Sequence, residues 1–145
     1  MNKKGAMELS FGMIFAIILI VVFLVFAFFG IKKILAVQEQ VKYVQFAEDL
    51  QSDVDKTWKS AQASKEVSYM IPSKIAEICF ENKETRNLIF NPRTAGFEPK
   101  TITNLNFLEM FPEESTSSFC IKTKDGTVSM TLSKEYSQNL VTISR

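Results

Sequence analysis

The chain has 145 residues, carries 17 basic against 16 acidic side chains, and contains no histidine. This balance gives no electrostatic reason to expect nucleic acid or a strongly anionic partner. Lack of histidine removes the commonest general base and metal ligand and excludes Ser-His and Cys-His nucleophile pairs; P-loop, GxGxxG, HExxH and GxSxG motifs are also missing.

Leu9 to Ile31 read LSFGMIFAIILIVVFLVFAFFGI without a charge, and every residue from Met13 to Phe29 is apolar. Crossing a bilayer core takes roughly 20 such residues as a helix. Lys3-Lys4 and Lys32-Lys33 flank the run, and a single transmembrane helix is expected over residues 6–33. The run exceeds the ~7–15 apolar residues of a secretory signal. It also passes into a second helical pattern without Gly or Pro after Ile31, so cleavage behind the helix is not expected. One uncharged helix offers no ion or substrate pathway. Lys3, Lys4 and the amino terminus on one side nearly balance Lys32, Lys33 and Lys42 on the other, which leaves orientation open.

The order Lys3-Lys4-Gly5-Ala6, then Glu8, then the apolar run resembles the class III leader of archaeal type IV pilins and archaellins. The resemblance covers about the first 35 residues. It implies a prepilin peptidase as partner, cutting between Gly5 and Ala6, with residues 1–5 as leader. The uncut helix would then anchor the subunit in membrane lipid and pack in a filament core with copies of itself or related pilin subunits. Implied with it are a pilin-like lollipop fold, an amino terminus inside the cell membrane and an extracytoplasmic C-terminal domain. The implied role is assembly into a pilus-like filament or pseudopilus for adhesion or surface attachment. Glu8 would be the third mature residue, whereas bacterial-type pilins place a glutamate fifth. It reads either as a subunit-registry residue facing a neighbour's terminal amine or as a carboxylate favoured by the dipole at a helix N-terminus.

From Ile34 the apolar positions Val37, Val41, Val44, Ala47, Leu50, Val54, Trp58 and Ala61 follow at steps of three or four, one stripe of a helix. Gln38, Lys42, Gln45, Glu48, Gln51, Asp55 and Lys59 form the other face. Residues 34–63 are thus expected to continue the helix, from near Leu9 to about Gln62, on the order of 80 Å in all. The stripe packs on the protein's own C-terminal domain, on neighbouring subunits, or on both in different parts. Trp58 is expected as a core anchor.

Residues 64–145 read as a small antiparallel β domain, giving an α+β chain. Candidate strands are 66–71, 75–80, 87–90, 118–124, 127–132 and 140–144. Between them, Leu105–Phe111 is a short helix or an irregular packed segment. Asp125-Gly126 is a two-residue hairpin signal. Folding about it sets Phe119 opposite Leu132, Ile121 opposite Met130 and Thr123 opposite Val128, with the large apolar groups on one face. Cys79 shares a strand face with Glu77 and Glu81, and Cys120 one with Lys122 and Lys124. The two cysteines form either one disulfide or two buried thiols; a bridge would close a loop of about 40 residues and contribute ~3–4 kcal/mol. It would also imply an oxidising compartment. Two thiols without histidine are too few for a structural zinc site, so no metal and no cofactor is expected. Glu113-Glu114 and Ser115-Thr116-Ser117-Ser118 read as solvated turns.

Residues and resemblance together favour a membrane-anchored structural subunit. The alternative is an uncleaved single-pass membrane protein whose β domain binds an unidentified partner. A tethered enzyme is least favoured.

Overall fold

The computed structural model describes residues 11–111 and 118–145. A first helix, α1, runs Phe11–Lys59. The chain forms two units, the first ending at Gln38 and the second covering Glu39–Arg145. In the first, every described residue belongs to α1 and is exposed.

Among the described residues, the second unit holds the rest of α1 and six strands. β1 (Ala63–Met70), β5 (Thr127–Lys134) and β6 (Thr142–Ser144) make one antiparallel sheet in the order β1-β5-β6. β2 (Glu77–Glu81), β3 (Leu88–Asn91) and β4 (Ser118–Lys122) make a second in the order β3-β2-β4, also antiparallel. A 3-10 turn, Arg93–Ala95, and a four-residue helix, α2 (Phe107–Met110), lie on the connections. The expected α+β layout is thus present as one long helix with two small sheets in place of one. All six candidate strands exist, with ends shifted by a few residues, and Leu105–Phe111 contains the short helix.

The core joins α1 to both sheets. Phe46 stacks edge-on against Tyr69 of β1 at 5.4 Å and against Phe90 of β3 at 6.0 Å. Leu50, Val54, Phe80, Val128 and Leu132 are completely buried around it. The buried helix face is Tyr43, Phe46, Ala47, Leu50, Val54 and Thr57. Ala47, Leu50 and Val54 belong to the expected stripe; Val41, Trp58 and Ala61 are exposed. The stripe turns toward Tyr43 and Phe46 because aromatic rings bury more area than the valines beside them. Trp58 is no core anchor: it is 40% exposed, and its indole N–H donates to the Asn139 carbonyl at 2.9 Å.

The polar face of α1 is only partly a solvent face. Gln51 Nε2 donates to Thr103 Oγ1 at 3.0 Å, and its Oε1 accepts from the Thr103 backbone N–H at 2.8 Å. Asn104 donates to Asp55 at 3.0 Å. The helix ends where Lys134 of β5 donates to the Trp58 and Ser60 carbonyls at 2.6 and 2.8 Å. A cation there satisfies carbonyls that have lost their helical donors and faces the negative end of the dipole.

The Asp125-Gly126 turn forms, but the hairpin does not. Asp125 and Gly126 both have positive φ, 51° and 70°, and Lys124 and Thr127 exchange two backbone hydrogen bonds of 2.8 Å. Beyond that pair the strands part: Ile121 faces Ile78 and Met130 faces Val67, so the register expected across the turn is absent. Thr123 shows why. Its backbone N–H and side-chain hydroxyl both donate to the Ala76 carbonyl at 3.0 Å, and the hydroxyl reaches Ile75 O at 2.8 Å. The residue that would continue the hairpin ladder is bound to the segment leading into β2.

Candidate functional site

Lys3, Lys4, Gly5, Ala6 and Glu8, the residues singled out for processing and subunit registry, lie outside the described residues. So do Glu113, Glu114 and the Ser115–Ser117 stretch. Two features of the described chain carry functional weight: the apolar part of α1 and the cysteine pair on the second sheet.

Within α1 an 18-residue window has a mean hydropathy of 3.3, enough in length and composition to cross a membrane. Its side chains are bare in the isolated chain: Phe11 is 85% exposed and Phe26 71%. Uncovered aromatic and aliphatic groups over this length are a surface that water does not tolerate. Lys32 closes the segment, its ammonium 4.5 Å from the Phe28 ring centroid, a cation–π contact suited to a helix leaving an apolar layer.

Cys79 of β2 and Cys120 of β4 are register partners, with Sγ atoms 2.04 Å apart in a disulfide. They occupy the face of the second sheet opposite Ile78, Phe80 and Ile121, as the alternation of the sequence places them. Their setting is less polar than that alternation suggests: Cys79 is buried, with Ile89 of β3 beside it in register. Glu77 is half-buried on the same face. Asn91, its register partner on β3, donates through Nδ2 to Glu77 Oε1 at 3.0 Å and to Cys79 Sγ at 3.3 Å. A Glu77 carboxylate oxygen and both sulfurs lie within 4.8 Å of one another. Glu77, placed from the sequence only on the strand face of Cys79, and Asn91 are the members not singled out as site residues. The shared parity of Glu77 and Cys79 was the available signal; Asn91 has none, because β3 joins the cluster only through strand order. Glu81, on the same face of β2, instead forms ion pairs with Lys83 and, at 3.6 Å, with Arg93.

The other covered carboxylates bind structural donors. Asp53 accepts from the Tyr69 hydroxyl at 2.8 Å and pairs with Lys56 and Lys65 at 3.3 and 3.4 Å. Burial is the largest single influence on Asp53 and pushes its carboxyl up, but Tyr69, Lys56 and Lys65 together outweigh it and hold it below the usual carboxylate range. Tyr69 is pushed above the ordinary phenol range, first by burial and then by the Asp53 carboxylate that accepts its proton donation. Tyr43 is raised by burial and by the charge of Glu98, whose backbone carbonyl accepts its hydrogen bond at 2.5 Å. Glu109 accepts from Gln138 and, at 2.8 Å, from Thr142. An open cleft of about 630 Å³ beside α1, lined in part by Glu48, Asp55 and Lys100, has one of its acids, Asp55, committed to Gln51 and Asn104.

No family model, curated protein or solved structure matches this chain.

Proposed function

We propose that this protein is a single-pass, membrane-anchored structural subunit of the type IV pilin-like kind, built to join a pilus-like filament or pseudopilus that serves adhesion or surface attachment. The observation that supports this reading most directly is the apolar part of α1, exposed along its whole described length. Such a surface needs lipid or the matching helices of other subunits around it. The helix proceeds without a break to Lys59 and ends inside a β-rich unit, as suits an element that both anchors and carries. The Lys3-Lys4-Gly5-Ala6 junction ahead of the span adds a route for releasing the subunit from its leader. The disulfide accords with a β unit on the oxidising side of the membrane.

The mass of the mature amino terminus, measured on protein isolated from its native membrane, tests the reading. A chain beginning at Ala6 is the expected result. A chain beginning at Met1 or Asn2 removes the pilin-like assignment and leaves an uncleaved single-pass protein whose β unit is a binding module. Recovery from the soluble fraction after alkaline extraction would overturn the anchor itself.

A further inference from the structure

The outer face of the second sheet holds more chemistry than a covalent staple requires. Cys79 and Cys120 face one another across β2 and β4, and Glu77 stands two residues before Cys79 on the same face. Glu77 Oε1 is 3.9 Å from Cys79 Sγ, and the three donor atoms lie within 4.8 Å of one another. A tetrahedral zinc ion, with bonds of ~2.3 Å to sulfur and ~2.0–2.2 Å to oxygen, holds its donors roughly 3.5–3.8 Å apart. The oxygen–sulfur pair already stands near that separation. Two sulfurs released from their bond move apart to van der Waals contact, roughly 3.5–4 Å, which is the same bite. Thiols and imidazoles alone leave zinc short of donors in this chain; the Glu77 carboxylate supplies the third.

We propose that reduction turns the Cys79–Cys120 bridge into a binding site for one thiophilic divalent ion, represented by Zn²⁺. The ion is held by the two thiolates and the Glu77 carboxylate, with water in the fourth position. A dithiol reductant gives two electrons and two protons to the S–S bond and leaves as its own cyclic disulfide; the entering ion then displaces the two thiol protons. Asn91 steadies the site from behind, since its amide already donates to both the carboxylate and the Cys79 sulfur. Lys122, opposite Glu77 on β4, offsets the surplus negative charge of three anionic ligands around a double positive charge. Sulfur donors favour zinc-like ions over magnesium and calcium. The sheet has then two alternative clasps between β2 and β4, one covalent and one ionic, selected by redox state.

The full chain in detergent micelles, reduced with a phosphine that does not compete for metal, is titrated with Co²⁺ as a spectroscopic stand-in for zinc. One equivalent is expected to produce sulfur-to-cobalt charge-transfer absorption together with tetrahedral visible bands, both abolished by added Zn²⁺. The oxidised chain and the Cys79→Ser variant are expected to produce neither. Glu77→Gln, its strand content checked by far-UV circular dichroism, is expected to weaken binding at least the ~10-fold that loss of even an outer partner costs. Three outcomes each overturn the proposal: no charge-transfer band in the reduced chain, equal affinity in Glu77→Gln, or a reduced chain that has lost its strand signal and does not regain it with metal.

Discussion

Asp53 is where one side chain reports most directly on the fold. It sits on α1, yet two of its partners, Lys65 and Tyr69, belong to β1, so its charge bridges helix and sheet. Its folded carboxyl is held down, and the stability this confers is present above the ordinary carboxylate range and lost as acid protonates the folded form. Tyr69 has the opposite sign: raised in the fold, it contributes fully below the ordinary phenol range, about 10, and that contribution fades as pH rises beyond it. Chemical denaturation of the full chain in micelles across pH should therefore show Asp53→Asn with a shallower fall below about pH 4 than the parent. Tyr69→Phe should have a flatter alkaline limb. Limbs that superimpose on the parent's would remove Asp53 and Tyr69 from this role. Such pairings were not legible in the sequence, which supplies Asp53 with its helix neighbour Lys56 but not with residues 12 and 16 positions away. Asn87 is a second case: buried, it donates to the Ile102 carbonyl at 2.7 Å and accepts from the Ile102 N–H at 2.8 Å. A clamp of that kind is invisible until two loops are brought together.

Elements were more readable than their partners. The six described strands and α1 follow from alternation, helical steps and turn residues, whereas Leu105–Phe111 was open between a short helix and an irregular segment; the former are local signals of backbone preference. Pairing is not local. The Asp125-Gly126 turn is present with the positive φ values its residues suit, yet β4 and β5 leave it for different sheets. Alternation on both sides of a turn is satisfied equally by two strands on one sheet and by two strands facing a shared core from separate sheets. The α1 stripe carries a similar lesson: steps of three and four gave the axis of the buried face, while side-chain size decided its rotation toward Tyr43 and Phe46. Replacement of Phe46, buried between Tyr69 and Phe90, by Ala is expected to cost about 3–5 kcal/mol. Trp58→Ala, at a site exposed and held by one hydrogen bond, is expected to cost about 1–2 kcal/mol. Equal losses in urea denaturation would contradict the rotated face.

For the whole molecule, the apolar run was legible at once, since its length and composition make it a candidate membrane span. The layout of the second unit was not: β2, β3 and β4 form a sheet inserted in the chain between β1 and β5, which pair with each other. The disulfide closes a loop within that insertion, with a sequence separation of 41. β1 and β6 both run antiparallel to β5, on its two sides. Tension applied between Ala63 and Arg145 therefore pulls the first sheet in shear, loading the eight β1–β5 register pairs together instead of one after another. Once that sheet gives way, the oxidised chain can pay out only the residues outside the loop. Its extended length should fall short of the reduced chain's by the 41-residue separation, about 140 Å at 3.3–3.6 Å per residue. Single-molecule force spectroscopy with and without reductant measures the difference, and equal lengths would exclude it. Under mechanical load, the cysteine pair acts as a stop on how far the protein can stretch.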